Sequence, residues 1–170
     1  MYTFAIHFEQ HMKNLLWIVG VAVVIVVLLS WGRQNEELSI SEKSNRELVL
    51  TCEPGGMAEN FHIHPQLKIV MNDTEYTIPQ NIGITSYCIH PLHTHTDLPN
   101  IHIEAPEKRD FTLGDFFAVW KQPFSKDTLM GYTADNTHTI TMTVNGVSVD
   151  SFENTILRDK DQIVIRYQSI

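Results

Sequence analysis

Basic residues are few in this chain. It has 12 Lys and Arg against 20 Asp and Glu, for a formal net charge of −8. From Glu36 onward the imbalance sharpens to nineteen acidic residues against ten basic ones. Such a surface argues against nucleic acid, whose affinity comes mainly from neutralised phosphates. It suits the attraction of cations, although most of those carboxylates simply solvate the surface. Cysteine is scarcer still: Cys52 and Cys88 are the only two, and they form no Cys-x-x-Cys pair. There is no His-Glu-x-x-His helix, no glycine-rich phosphate loop and no Gly-x-Ser-x-Gly elbow. The familiar signatures of zinc proteases, nucleotide binders and serine hydrolases are therefore missing.

One absence is local. Between Lys13 and Arg33 no residue carries a charge, and the run from Leu15 to Leu29 is almost wholly aliphatic. A membrane helix needs about 20 apolar residues, with a lower limit near 17. Trp17 and Trp31 stand at its two ends, where indole prefers the headgroup boundary. No polar face recurs at helical spacing, which excludes a soluble amphipathic helix. A cleaved signal peptide is the rival reading. Against it, the run exceeds the usual apolar region of such peptides, and Leu29-Ser30-Trp31-Gly32-Arg33 offers no small-residue cleavage site. The expectation is a short tail over 1–14 and a span over 15–31 that contacts the lipid bilayer. A polar stalk over 32–47 and a folded domain over 48–170 follow. Flanking charge says little about orientation. A short tail ahead of an anchor usually stays in the cytoplasm, so the domain is expected outside the cell, single-pass on the membrane. A pair of cysteines suits that compartment. A membrane-protein partner fits the same placement.

The domain reads mainly as strand. Leu67–Met71, the pair Asn72-Asp73 and Thr74–Ile78 form an alternating run, a turn and a second run. Ile140–Val144, Asn145-Gly146 and Val147–Val149 repeat the design, and Asn-Gly is the strongest short hairpin signal. The two hairpins superpose at an offset of 73 residues, with Asn100–Ile103 and Gln162–Ile165 as a third strand in each half. Thr112-Leu113-Gly114-Asp115 resembles a capping box ahead of Phe116, Phe117 and Trp120, and Pro123 ends that helix. The aromatic cluster is expected to pack on the sheet as core. The predicted class is α+β, mainly β: two hairpin units of about six strands with one crossing helix, in a β-grasp-like arrangement.

Histidine is what the chain does have, nine in all. Five fall in two short clusters: His62 and His64, then His93 and His95 with His102. Imidazole is the commonest side-chain ligand for zinc, copper and nickel. Residues two apart on an extended backbone point to one face, so each His-x-His is a two-point claw. The five are the candidate metal ligands; Cys88, His90 and Glu104 stand in reserve. Glu104 shares a strand face with His102, as a carboxylate that orients a ligand's other nitrogen would. Two fates compete for Cys88, a disulfide to Cys52 or a thiolate ligand, and export favours the first. His138 stands alone, and His7 and His11 lie beyond the span. Three or four imidazoles suit zinc or copper(II). The Cys-x-His spacing is too short for a blue-copper loop. A cupin glutamate would fall where Pro99 and Asn100 stand.

The string from His62-Ile63-His64 through His93-Thr94-His95, His102-Ile103-Glu104-Ala105-Pro106 and Thr112-Leu113-Gly114-Asp115-Phe116-Phe117-Ala118-Val119-Trp120 is similar to an uncharacterised family of small proteins. These are bacterial and archaeal and often membrane-anchored. The resemblance covers the domain from Cys52 onward. Members commonly read His-Thr-His-Asp with a glycine soon after, whereas Thr96-Asp97-Leu98-Pro99 intervenes here. The likeness implies one domain with these histidines inside its signature, and it implies no activity.

Three functions follow as expectations. The first is an anchored extracytoplasmic module that holds copper or zinc for storage, delivery or sensing. The second is a zinc hydrolase with Glu104 or Asp97 as base. The third is a structural or accessory subunit whose histidines only hydrogen-bond, stapled by Cys52 and Cys88.

Overall fold

The protein is described by a computed structural model over residues 16–34 and 43–170. The chain divides into two compact units, Met1–Lys43 and Ser44–Ile170. The tail with His7 and His11, and residues 35–42 of the expected stalk, lie outside the described residues.

In the first unit, α1 runs Leu16–Gln34, with a mean hydropathy of 2.2. Nineteen residues at about 1.5 Å each approach the roughly 30 Å of a hydrocarbon layer. By length and composition the helix can cross a membrane, as a signal sequence also can. Its hydroxyl at Ser30 turns back onto Val26 O and Val27 O, both at 2.9 Å. The back-bond satisfies the hydroxyl within the helix itself.

The second unit opens with α2, Asn45–Leu50. The polar run expected as stalk therefore ends in a helix that belongs to the domain. Ser44 and Glu47 form a reciprocal capping box, which the Ser-x-x-Glu spacing would have shown. The helix is fastened through its polar side chains. Arg46 pairs with Asp115 at 3.0 Å and donates to Gly114 O at 3.0 Å. Leu48 and Val49 supply its buried side.

The strands follow as β1 (Phe61–Ile63), β2 (Gln66–Met71), β3 (Thr74–Tyr76), β4 (Leu92–His93) and β5 (His102–Ala105). After α3 (Leu113–Trp120) come β6 (Phe124–Ser125), β7 (Thr128–Leu129), β8 (Tyr132–Thr133), β9 (His138–Val144) and β10 (Val147–Ser148). A 3₁₀ turn, Phe152–Asn154, precedes β11 (Gln162–Ser169). Thr112 caps α3 with Asp115 as its reciprocal partner. Lys121, at φ 60°, ends the helix ahead of Pro123.

The class is α+β and mainly β, with eleven strands in three sheets among the described residues. Both turn pairs make hairpins, β2–β3 and β9–β10, with Asn72, Asp73, Asn145 and Gly146 all at positive φ. They share one sheet of order β10-β9-β11-β2-β3. The expected pairing of each hairpin with its own third strand does not occur. β11 serves both hairpins, antiparallel to β9 and parallel to β2. Asn100–Ile103 contributes instead to β5, in a separate sheet of order β1-β5-β4. One physical reason is that β11 turns Ile163, Ile165 and Tyr167 to the core, and the backbone groups along both edges of such a central strand are satisfied by pairing with β9 and β2. Leu67, Ile69, Met142, Phe111, Phe116 and Phe117 complete the core around it. Trp120 meets Tyr76, the end of β3, at 6.2 Å between rings.

Cys52 and Cys88 are joined in a disulfide, with 5.3 Å between their Cα atoms. Beside it Glu53 and Ile89 exchange backbone hydrogen bonds at 3.0 and 3.2 Å. The segment after α2 is thus pinned to the loop that leads into β4. The reserve role of Cys88 as a thiolate ligand is corrected here, since its sulfur is spent in the disulfide.

Candidate metal centre

The three-stranded sheet positions the histidines. In its register His62 faces Glu104, Ile63 and Leu92 both face Ile103, and His93 faces His102. Residues in register share a face, as do residues two apart on one strand. Ile103, Leu92 and Ala105 therefore turn to the interior, where they are fully covered. His62, His93, His102 and Glu104 share the opposite face, with His64 and His95 just past their strand ends. The rings meet there. Centroid separations are 4.5 Å for His62–His64, 4.5 Å for His64–His102, 4.7 Å for His93–His95 and 4.6 Å for His95–His102.

The second claw is held from behind. Thr94, which points the other way, is buried. Its hydroxyl donates to Pro79 O at 3.0 Å and accepts from the Ile82 amide at 3.0 Å. Backbone bonds between Asn81 and Thr94, and between Thr94 and Ile82, lay this loop along β4. Gly83 permits the crossing. It sits at φ +74°, and a Cβ there would stand 2.5 Å from Leu92 O and 3.2 Å from the Cβ of His93. On the first claw, the His64 amide donates to Asp159 at 3.0 Å.

Hydrogen bonding assigns the nitrogens. His93 Nδ1 lies 2.9 Å from His90 O. A carbonyl only accepts, so Nδ1 carries the proton and Nε2 is left as a lone pair. Burial pushes the pKa of His93 down to about 4, so the ring is neutral at physiological pH. His102 Nε2 lies 3.1 Å from each carboxylate oxygen of Asp97 and donates to it. The Asn100 side chain, then His102, holds the Asp97 pKa down at about 2. The other nitrogen of His102, Nδ1, is buried and meets no hydrogen-bond partner. Each of these two rings has one nitrogen fastened outside the cluster and the other turned inward. Glu104 Oε1 lies 3.8 Å from His93 Nε2, 3.9 Å from His102 Nδ1 and 3.2 Å from His62 Nε2. His93 Nε2 and His95 Nε2 are 3.1 Å apart. Burial, then the neighbouring His102 and His62, lowers the pKa of His64.

Ligand atoms gather within 4.8 Å of one another in three groups: His93, His95, His102 and Glu104; His62, His64 and His102; and Glu59, His62 and Glu104. All five candidate histidines and Glu104 enter such a group. His90 does not, because its Nδ1 pairs with Val49 O at 3.0 Å on α2; its carbonyl is what serves His93. His138 also stands apart, stacked on Tyr167 at 4.9 Å. Two contributions escaped the sequence reading. Asp97, not Glu104, fixes the outer nitrogen of His102, and Glu59 faces His62 Nδ1 at 3.4 Å. A carboxylate two residues past the second claw was the available signal for the first.

Comparison of the chain with protein-family models, with curated proteins and with solved structures finds no match.

Proposed function

We propose that the domain is a transition-metal holding module, anchored to a membrane by α1 and displayed outside the cytoplasm. The ion is zinc or copper, held for storage, delivery or sensing. The observation that carries this reading is the pair of inward nitrogens, His93 Nε2 and His102 Nδ1. An imidazole whose other nitrogen is fastened by a carbonyl or carboxylate is the usual form of a histidine ligand. A lone nitrogen left buried with no partner otherwise costs free energy. A metal ion would satisfy it.

His95 Nε2 and Glu104 complete a set of three nitrogens and one oxygen around those two. At bond lengths of about 2.0–2.2 Å, ligand atoms of one tetrahedral ion stand roughly 3.3 Å apart. Three of the six separations, 3.1, 3.8 and 3.9 Å, lie within about 0.6 Å of that figure, and all six lie within 4.8 Å. The acidic surface supports the same reading by drawing cations in. Hydrolysis finds less support. Asp97 is engaged with His102 and Asn100, and Glu104 lies within the ligand group. Neither stands free as a base.

The test is direct. Full-length protein in detergent, stripped with chelator and reloaded with zinc or copper(II), is expected to retain metal through desalting. The double variant His93→Ala/His102→Ala should lose it while keeping its far-ultraviolet dichroism. A wild-type chain that retains no metal would overturn the reading.

A further inference from the structure

We infer that the cluster is a two-ion site, with the claw on β1 holding a second divalent transition-metal ion beside the first. This rests on the metal-holding reading above and goes beyond it. β5 lies between β1 and β4. Neighbouring strands are about 4.8 Å apart, so the two claws rise from backbones separated by roughly 9–10 Å. The claws therefore stand on opposite flanks of the central strand, each with its own neighbours.

The ligand atoms divide in the same way. One group joins the β4 histidines to His102 and Glu104; the other two are built around His62. None of the three joins a β1 histidine to a β4 histidine. The central strand supplies what both sides share. Glu104 Oε1 stands 3.2 Å from His62 Nε2, a normal separation for two ligands of one ion, and also faces His93 and His102. A carboxylate with two oxygens between two histidine pairs can bridge two ions. Such pairs commonly stand about 3.5–4 Å apart.

The β1 side repeats the construction of the β4 side. His62 Nδ1 faces the Glu59 carboxylate at 3.4 Å while Nε2 turns to Glu104. His64 stands beside it, with its ring 4.5 Å from that of His62 and its amide fixed by Asp159. The second ion takes His62 Nε2 and one Glu104 oxygen, which fall in one ligand group, with His64 beside His62 on the same flank. That leaves at least one coordination position to water on the more exposed flank.

Metal counting on the full-length chain decides the matter. Protein in detergent is stripped, loaded with excess zinc, desalted, and assayed by elemental analysis and native mass spectrometry. The wild type is expected to carry two zinc ions per chain, and His62→Ala/His64→Ala one. One zinc on the wild type overturns the two-ion inference and leaves the single-ion reading standing. None overturns both. Two zinc ions retained by the double variant would overturn the placement on β1. Loading the unmodified chain with copper(II) keeps the inference falsifiable if the variant does not fold. A spin-coupled pair in electron paramagnetic resonance supports it, and only isolated copper signals overturn it.

Discussion

At the scale of single residues, the proposed centre depends on groups outside its own ligand set. Asp97→Asn keeps a side chain of the same shape but removes the charge that fastens His102 Nε2. Loss of such an outer partner typically costs about 10–100-fold in metal affinity. That drop is expected in competition with a chromophoric chelator, at unchanged thermal stability of the metal-free protein to within a few degrees. Acid should act through His93. Its folded pKa, about 4, lies below the unfolded value of about 6.5. Between these values the unfolded chain binds the extra proton, so the stability contributed above pH 6.5 declines as pH falls towards 4. Denaturant midpoints of the metal-free protein measured across that window check the sign. The two claws were legible because alternation on a strand has a fixed period of two. The outer partners were not. Asp97 reaches His102 across a turn, and His90 acts through a carbonyl that every residue possesses.

At the scale of elements, local chemistry was readable and long-range pairing was not. Asn72-Asp73 and Asn145-Gly146 announce their hairpins because both positions adopt positive φ. Thr112 and Asp115 announce α3 in the same way. The parallel pairing of β2 with β11 leaves no turn between them to read, and so the shared sheet went unseen. Gly83 tests how the loop behind β4 supports the site. Gly83→Ala puts a methyl 2.5 Å from Leu92 O at a positive φ. It should destabilise the protein by more than about 1 kcal/mol, seen in chemical denaturation. The disulfide closes a loop across 36 residues. Replacing both cysteines by serine is expected to remove about 3 kcal/mol of stability by the same measurement.

At the scale of the whole molecule, a bound ion and the fold are linked. The proposed ligands come from β1, β5 and the end of β4, so unfolding that sheet would release an ion held there. Free metal at 100 times Kd should stabilise the protein by about 2.7 kcal/mol, raising Tm by roughly 10 °C for a unit of this size. A wild-type Tm that ignores added zinc and copper would contradict the proposed function. The proposed anchor sets a further expectation. Protease added to intact cells should trim the domain and spare α1, whereas protection until lysis would reverse the proposed topology.

β11 comes last among the strands yet occupies the middle of the largest sheet, flanked by β9 and β2. Synthesis therefore delivers two separated halves and withholds the piece that joins them until nearly everything else has emerged. A polypeptide arranged this way cannot complete its largest sheet until its last strand is available, which would suit the export proposed above.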